Sequence, residues 1–240
     1  MKKVHFIDCG ANVGNAIDWA KKEYEERLVK VDAFEPEYLN YLSILKKFSS
    51  DSLFDLTVYA QAVWIKNEIK EFYIQTWGTR TGSSLLADKL NIIAQGQIVP
   101  YAYKGKKQNL TFDESAINCQ GNGMLALSDL TVLHTVSPEI SGAPELVQCL
   151  NLSDWIFKNL SKENYNVLKV DIEGAEYKVI DHLLNTGAHE LIDLWLVEFT
   201  SKGRVPESFD QSVIDRFKST IPSDNYLDWG LMGETIMDKA

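Results

Sequence analysis

Three groups of residues have the types and spacing to do chemistry. The first is the run Val4-His5-Phe6-Ile7-Asp8-Cys9-Gly10-Ala11-Asn12-Val13-Gly14, where a β-prone stretch ends in an acid followed by two glycines four apart. The second is Glu35-Pro36, with Glu35 lying 21 residues beyond Gly14. The third is Asp171, Glu173 and Glu176, with Glu198 further along. A strand, a glycine turn and a helix N-terminus are how an α/β fold lays backbone amides against a nucleotide-like ligand.

The first group is not GxGxxG. A dinucleotide fold uses its glycines to admit a pyrophosphate, and a carboxylate at Asp8 would repel one. Asp8 instead suits a ligand with a cationic or donor-rich end, such as an amino-acid ammonium or the sulfonium of S-adenosylmethionine. The competing reading is an aspartate that caps its own turn. Gly10 and Gly14 let the backbone approach a ligand without a side chain in the way. Glu35 stands where adenosine-binding α/β folds place an acid whose two oxygens accept both ribose hydroxyls.

Four acids gathered at one sheet edge repel one another. A metal, a cationic substrate group or a raised pKa would relieve that repulsion. Local capping is the plainer reading for Glu173 and Glu176, which lie in or just before the first turn of a helix. His134 is a candidate general base because histidine titrates near neutrality. The same residue, like His5, His182 and His189, also suits a structural role. No GxSxG elbow, GxxxxGK[ST] loop or HExxH pair occurs.

The elements that must position these residues follow from the hydrophobic patterning. Residues 4–8 read as a strand and 13–27 as a helix. Residues 28–34 read as a second strand, with Val29, Val31 and Ala33 on one face and Lys30 and Asp32 on the other. Residues 37–48 read as a helix that buries Leu39, Leu42, Leu45 and Phe48, and 56–59 as a third strand. This β-α-β-α-β order is half of a doubly wound sheet. Ala62 to Trp64 and Glu71 to Thr76 read as a hairpin around Asn67-Glu68. Residues 78–84 form a small polar loop. Residues 90–146 carry turn signals and short β-prone pieces, and read as extra strands or a cap over a pocket. Regularity returns with a strand at 147–150 and a helix at 154–160 capped by Ser153. A strand at 167–170, interrupted by Lys169, leads to a helix at 175–184 that Gly187 ends. A strand at 191–199, a helix at 207–219 and an edge strand or two in the tail complete one domain, 1–240. The fold class is therefore α/β, a doubly wound, mostly parallel sheet with an inserted segment around residues 62–150.

The net charge is −10 and the pI about 4.9, which opposes binding to extended nucleic acid by charge alone. Lys104, Lys106 and Lys107 form the only dense basic patch in mid-chain. Cys9, Cys119 and Cys149 are widely spaced and show no zinc pairing, so a reduced, cytoplasmic setting is expected and no metal ligands are assigned, while the acid cluster leaves a metal requirement open. No stretch reads as a signal peptide or a membrane span.

The residues 6–14, then Ala33-Phe34-Glu35-Pro36, then Leu168-Lys169-Val170-Asp171-Ile172-Glu173-Gly174-Ala175-Glu176, resemble the three signature blocks of FkbM-type S-adenosylmethionine-dependent methyltransferases. They occur in order and nearly unbroken, and Gly82-Ser83-Ser84 is similar to a small serine-containing segment of that family. The resemblance covers residues 4–64 and 146–199. It implies a Rossmann-like class I methyltransferase fold and methyl transfer, usually to a hydroxyl oxygen of a sugar, glycan or other small molecule. It also implies S-adenosyl-L-methionine as cofactor. The loop from Asp8 through Gly10 and Asn12 to Gly14 would hold its methionine part, Glu35 its ribose, and Gln61 would approach its adenine. Asp171 would face the methyl group and acceptor, and Glu173 and Glu176 are the family's acidic pair. The proton of a hydroxyl acceptor would go to Asp171, Glu173 or Glu198, or to His134 from a lid. Transfer to nitrogen or a carboxylate of a peptide or nucleotide-like substrate stands as an alternative, as does a silent domain that only binds. An NAD-dependent oxidoreductase is disfavoured by the glycine spacing. Acceptor and oligomeric state stay open.

Overall fold

The computed structural model describes residues 1–74, 83–86, 101–102, 139–140 and 145–232. Its centre is a six-stranded, wholly parallel sheet. The strands are β1 (Val4–Cys9), β2 (Leu28–Phe34), β3 (Asp55–Tyr59), β9 (Tyr165–Val170), β10 (Leu194–Val197) and β11 (Tyr226–Asp228). Their order across the sheet is β3-β2-β1-β9-β10-β11. The chain runs outward from β1 to β3, then returns to β9 and runs outward the other way. The crevice of such a sheet lies beyond the carboxyl ends of β1 and β9, where the order reverses.

Side chains alternate across the sheet, and both faces are covered. Phe6, Val31, Val167 and Leu196 pack with Ala16 and Ile17 of α1 (Asn15–Tyr24) and Ile44 of α2 (Tyr38–Lys47). Ile7, Leu168, Val170 and Trp195 pack with α3 (Leu152–Asn159), α4 (Glu176–Thr186) and α5 (Gln211–Thr220). This is the Rossmann-like, doubly wound α/β sheet expected from the sequence. Among the described residues, no helix is long and apolar enough to cross a membrane.

Several elements differ from the sequence reading. The proposed hairpin is not one. β4 (Ala62–Trp64) pairs in parallel with one side of β8 (Glu145–Asn151), and β5 (Glu68–Phe72) pairs antiparallel with the other. The turn between β4 and β5 is tied to the inserted strand, because Asn67 Oδ1 accepts from the Asn151 amide at 2.8 Å. A further pair joins β6 (Tyr101–Ala102) and β7 (Glu139–Ile140).

Helix α1 is shorter than its apolar pattern and ends in a 3-10 turn at Glu25–Arg27. Helix α2 buries Asn40, Tyr41 and Ile44, with Phe48 buried just past its end, whereas Leu39 is exposed and Leu42 and Leu45 are half-buried. Its cap explains this phase. Glu37 accepts from the Asn40 amide at 2.7 Å and fixes where the first turn begins. Helix α3 is capped by Asn151, not Ser153. Asn151 Oδ1 accepts the Ser153 amide at 3.1 Å, while Ser153 donates its hydroxyl to Thr186 Oγ1 at 2.7 Å. Strand β10 follows a 3-10 turn at Ala188–Leu191, so it is shorter than the hydrophobic run. Gly187 ends α4 with a left-handed φ of 81°, as its position implied.

Asp32 faces a second core, not water. It is fully buried beside His5, whose Nε2 lies 2.6 Å from Asp32 Oδ2. The Tyr59 hydroxyl donates to Asp32 Oδ1 at 3.1 Å. Trp155 of α3 packs edge-on against His5, Phe34 and Tyr59, and so covers the face that a simple polar-apolar alternation would leave wet.

Candidate active site

Two turns meet where the sheet order reverses. The turn after β1 carries three left-handed residues, Gly10 (φ 80°), Asn12 (φ 50°) and Gly14 (φ 81°). The amides of Gly10 and Ala11 both donate to the Phe34 carbonyl at 3.1 Å, pinning this turn to the end of β2. The turn after β9 is Asp171 to Gly174, with Glu173 (φ 56°) and Gly174 (φ 104°) also left-handed. The two turns touch. A Cβ at Gly10 would lie 2.0 Å from the Asp171 carbonyl oxygen. Glycine is needed at position 10 for this backbone contact as well as for its φ. Gly14 has a different reason. A Cβ there would strike the Phe48 ring at 2.7 Å, and Gly14 is not part of the cleft wall.

A cleft of about 290 Å³ opens at this junction. Gly10, Asn12, Glu35, Asp171, Glu173 and Glu198 line it, together with an apolar wall that includes Phe34, Val63, Phe72, Leu85 and Trp229. This chemistry, apolar walls with a few convergent polar groups, is that of a small-molecule site.

Glu35 is the best-fixed polar group in the wall. Its Oε2 accepts the Asn12 amide at 2.7 Å and its Oε1 accepts the Glu37 amide at 2.8 Å. Burial pushes its carboxyl up to about 8, against those two amides, which favour the charged form. Each oxygen keeps a further lone pair for an outside donor. A ligand bearing a vicinal diol, with two hydroxyl donors, therefore fits the pair of acceptor oxygens that Glu35 presents.

Asp8 departs from expectation. It is fully buried and does not line the cleft. The cationic partner expected from a ligand is supplied by the protein instead. Lys169 Nζ lies 3.1 Å from Asp8 Oδ1, 3.4 Å from Asp171 Oδ2 and 2.9 Å from the Gly10 carbonyl. Burial lowers the Lys169 ammonium, but Asp8 and then Asp171 outweigh it, and the net shift is upward. The sequence reading gives Lys169 no role beyond interrupting a strand and belonging to the third motif. Its signal was there: a lone cation in an apolar run, opposite Asp8 in register, is costly unless paired.

Gln61 also departs from expectation. It is buried and donates through Nε2 to Gln148 Oε1 at 3.2 Å. The β4–β8 pairing draws it toward β8, and its neighbours Ala62 and Val63 line the cleft in its place.

The acid cluster is relieved by cations and by a raised pKa. Arg204 donates to Glu173 Oε2 at 2.7 Å and lies 3.7 Å from Glu198 Oε1. Burial pushes Glu198 up to about 7, with Asp171 and then Glu173 adding to it and Arg204 and Lys169 opposing. Glu176 stands outside the cleft wall as a latch between turns. It accepts from the Gly174 amide, from the Thr200 amide at 3.0 Å and from the Thr200 hydroxyl at 2.5 Å. Ser84 donates to the Glu173 carbonyl at 2.7 Å, tying the small serine segment to the same turn. Among the described residues, no three His, Cys, Asp or Glu side chains are grouped to hold a metal ion. His134, Cys119 and the lysines at 104, 106 and 107 lie outside the described residues. Arg204 lies in a turn and Trp229 follows directly on the edge strand β11, and neither has a spacing relation to the three motifs, so sequence reasoning missed both.

No curated protein matches the chain. A solved structure of the methyltransferase FkbM from Methylobacillus flagellatus KT is similar over 93% of this chain and 38% of its own, at 12% identity and a TM-score of 0.46. This chain thus spans well under half the length of that protein. The family model of the methyltransferase FkbM domain matches residues 8–216. That span starts at the acid that holds Lys169, ends within α5, and contains every residue of the cleft wall except Trp229; the chain belongs to the FkbM methyltransferase family.

Proposed function

We propose that this methyltransferase uses S-adenosyl-L-methionine and methylates a hydroxyl oxygen of a sugar, glycan or other small molecule. The observation that carries the cofactor reading is Glu35. It is a cleft-lining carboxylate at the end of β2, held by two backbone amides and able to accept two hydroxyls. When bound, the cofactor supplies a methyl carbon already activated by its sulfonium. The chain's own residues do the rest. Gly10 lets the two cleft-forming turns meet backbone to backbone, and the Asn12 amide holds Glu35 in place. The apolar wall of Phe34, Val63, Phe72 and Leu85 excludes water from a displacement that depends on alignment. An acceptor hydroxyl must lose its proton, and Glu198 can take it. A carboxyl near 7 balances being deprotonated against being basic enough to act. Asp171 and Glu173 line the same cleft and are held by Lys169 and Arg204.

Calorimetric titration with S-adenosylmethionine and S-adenosylhomocysteine, on wild type and Glu35→Ala, tests the cofactor reading. Binding that is lost in the variant is the expected result. A well-folded wild type that binds neither ligand overturns the reading. A panel of hydroxylated saccharides and small alcohols, scored for O-methyl products by mass, then tests the acceptor class. A product methylated only on nitrogen or a carboxylate would replace it.

A further inference from the structure

We propose that Lys169 is the positioning residue of this site, a buried ammonium that fixes the glycine turn and the Asp171 carboxylate relative to each other. The inference deepens the reading of the cleft given above, but its geometry is that of the free protein.

Lys169 sits one position before the end of β9 and is 3% exposed. Parallel pairing sets it directly opposite Asp8 on β1 and Leu196 on β10. On this face the layers below are apolar, formed by Phe6, Val167 and Leu194. The last layer before the crevice is therefore where the face turns from hydrocarbon to charge. The ammonium donates a hydrogen bond to the Gly10 carbonyl at 2.9 Å, and it forms ion pairs with Asp8 Oδ1 at 3.1 Å and Asp171 Oδ2 at 3.4 Å. The Trp229 ring lies on a further side, its centroid 5.7 Å away.

The three partners belong to different parts of the machinery. Gly10 is in the turn after β1, and Asp171 is in the turn after β9. Both line the cleft, and Lys169 itself does not. Asp8 is the counter-charge that keeps the ammonium in the core. A cation built only to stabilise the fold would need Asp8 alone. This one reaches past it to a backbone carbonyl and to a second carboxylate, each on a cleft-forming turn. The turns otherwise meet through the Gly10–Asp171 backbone contact and the Asp171 amide bond to the Cys9 carbonyl at 3.2 Å.

Lys169→Met alone would strand the Asp8 charge and could unfold the protein. The test therefore uses the double variant Asp8→Asn/Lys169→Met, with Lys169→Arg as the conservative partner. Amide hydrogen exchange on the free protein reads the effect. In the double variant, the Gly10, Ala11 and Asp171 amides should exchange roughly tenfold faster or more, while amides of the β2 and β10 cores keep wild-type protection. The thermal midpoint should stay within about 4 °C of wild type. Lys169→Arg should restore much of the local protection. Wild-type exchange at both turns in the double variant would overturn the proposal. So would loosening spread evenly through the sheet, since that is a structural role only. S-adenosylhomocysteine titration of the same proteins separates the two readings. A wild type that fails to bind it sinks the cofactor reading, whereas the exchange data judge Lys169 in either case. If wild type binds, the double variant should bind at least about tenfold more weakly, and Lys169→Arg should recover most of the loss.

Discussion

Glu35 carries more of the argument than any other residue, and its protonation gives a direct test. Both of its oxygens already accept backbone amides, so a proton on either one competes with an N–H donor. The charged form is the one that can also accept ligand hydroxyls. With the folded value near 8, affinity for S-adenosylhomocysteine should rise with pH and level off above about 8. Calorimetry across pH 6 to 9 checks this, and Glu35→Gln should flatten the curve and cost roughly 10- to 100-fold in affinity. The same raised values bear on stability. Burial pushes Glu35 to about 8 and both Glu176 and Glu198 to about 7, against an ordinary 4.5. Between pH 5 and 8 the native state then holds protons that the unfolded chain has released. By linkage, stability falls as pH rises through that window. Urea midpoints should be higher at pH 5.5 than at pH 8, and Glu176→Gln should reduce the difference.

At the scale of elements, the glycine in the turn after β1 and the glycine that ends α4 are needed for separable reasons. Gly10→Ala combines a left-handed φ with a backbone clash against Asp171. Gly187→Ala carries only the φ term, because nothing lies within 4 Å of its Cβ position. The second change should cost about 1 kcal/mol, and the first clearly more, with lost protection at the Asp171 turn. Denaturant unfolding of the two variants side by side decides it. Asn151→Ala is the matching test at a helix start. It removes the cap of α3, the helix that carries Trp155, and should cost about 1 kcal/mol.

On the scale of the whole molecule, the cleft is assembled from distant parts of the chain. Turns near residues 10 and 171, the pieces at 62–63, 72 and 83–85, and Trp229 from the tail all contribute wall. Trp229 packs edge-on against Trp19 of α1 at 5.6 Å and closes one side of the layer that holds Lys169. Trp229→Ala should destabilise the protein by about 3 kcal/mol and also weaken ligand binding, whereas Trp229→Phe should keep most of both. Thermal unfolding with and without S-adenosylhomocysteine measures the two effects together.

The sequence by itself determined the doubly wound, mostly parallel sheet, the three motifs and the place of Glu35 at the end of β2. Those features follow from local patterning, because strand period, helix period and glycine turns are written within a few residues of one another. It could not say that β8 would part β4 from β5, since pairing between residues 62–72 and 145–151 is a long-range contact with no local signal. Nor could it say that Asp32 would be buried under Trp155, or that Asp8 would face Lys169 in place of a ligand. The tertiary structure decided these, for one physical reason. A buried charge takes whichever opposite charge or donor the packing brings within about 3 Å, and that neighbour is set by strand register, not by distance along the chain.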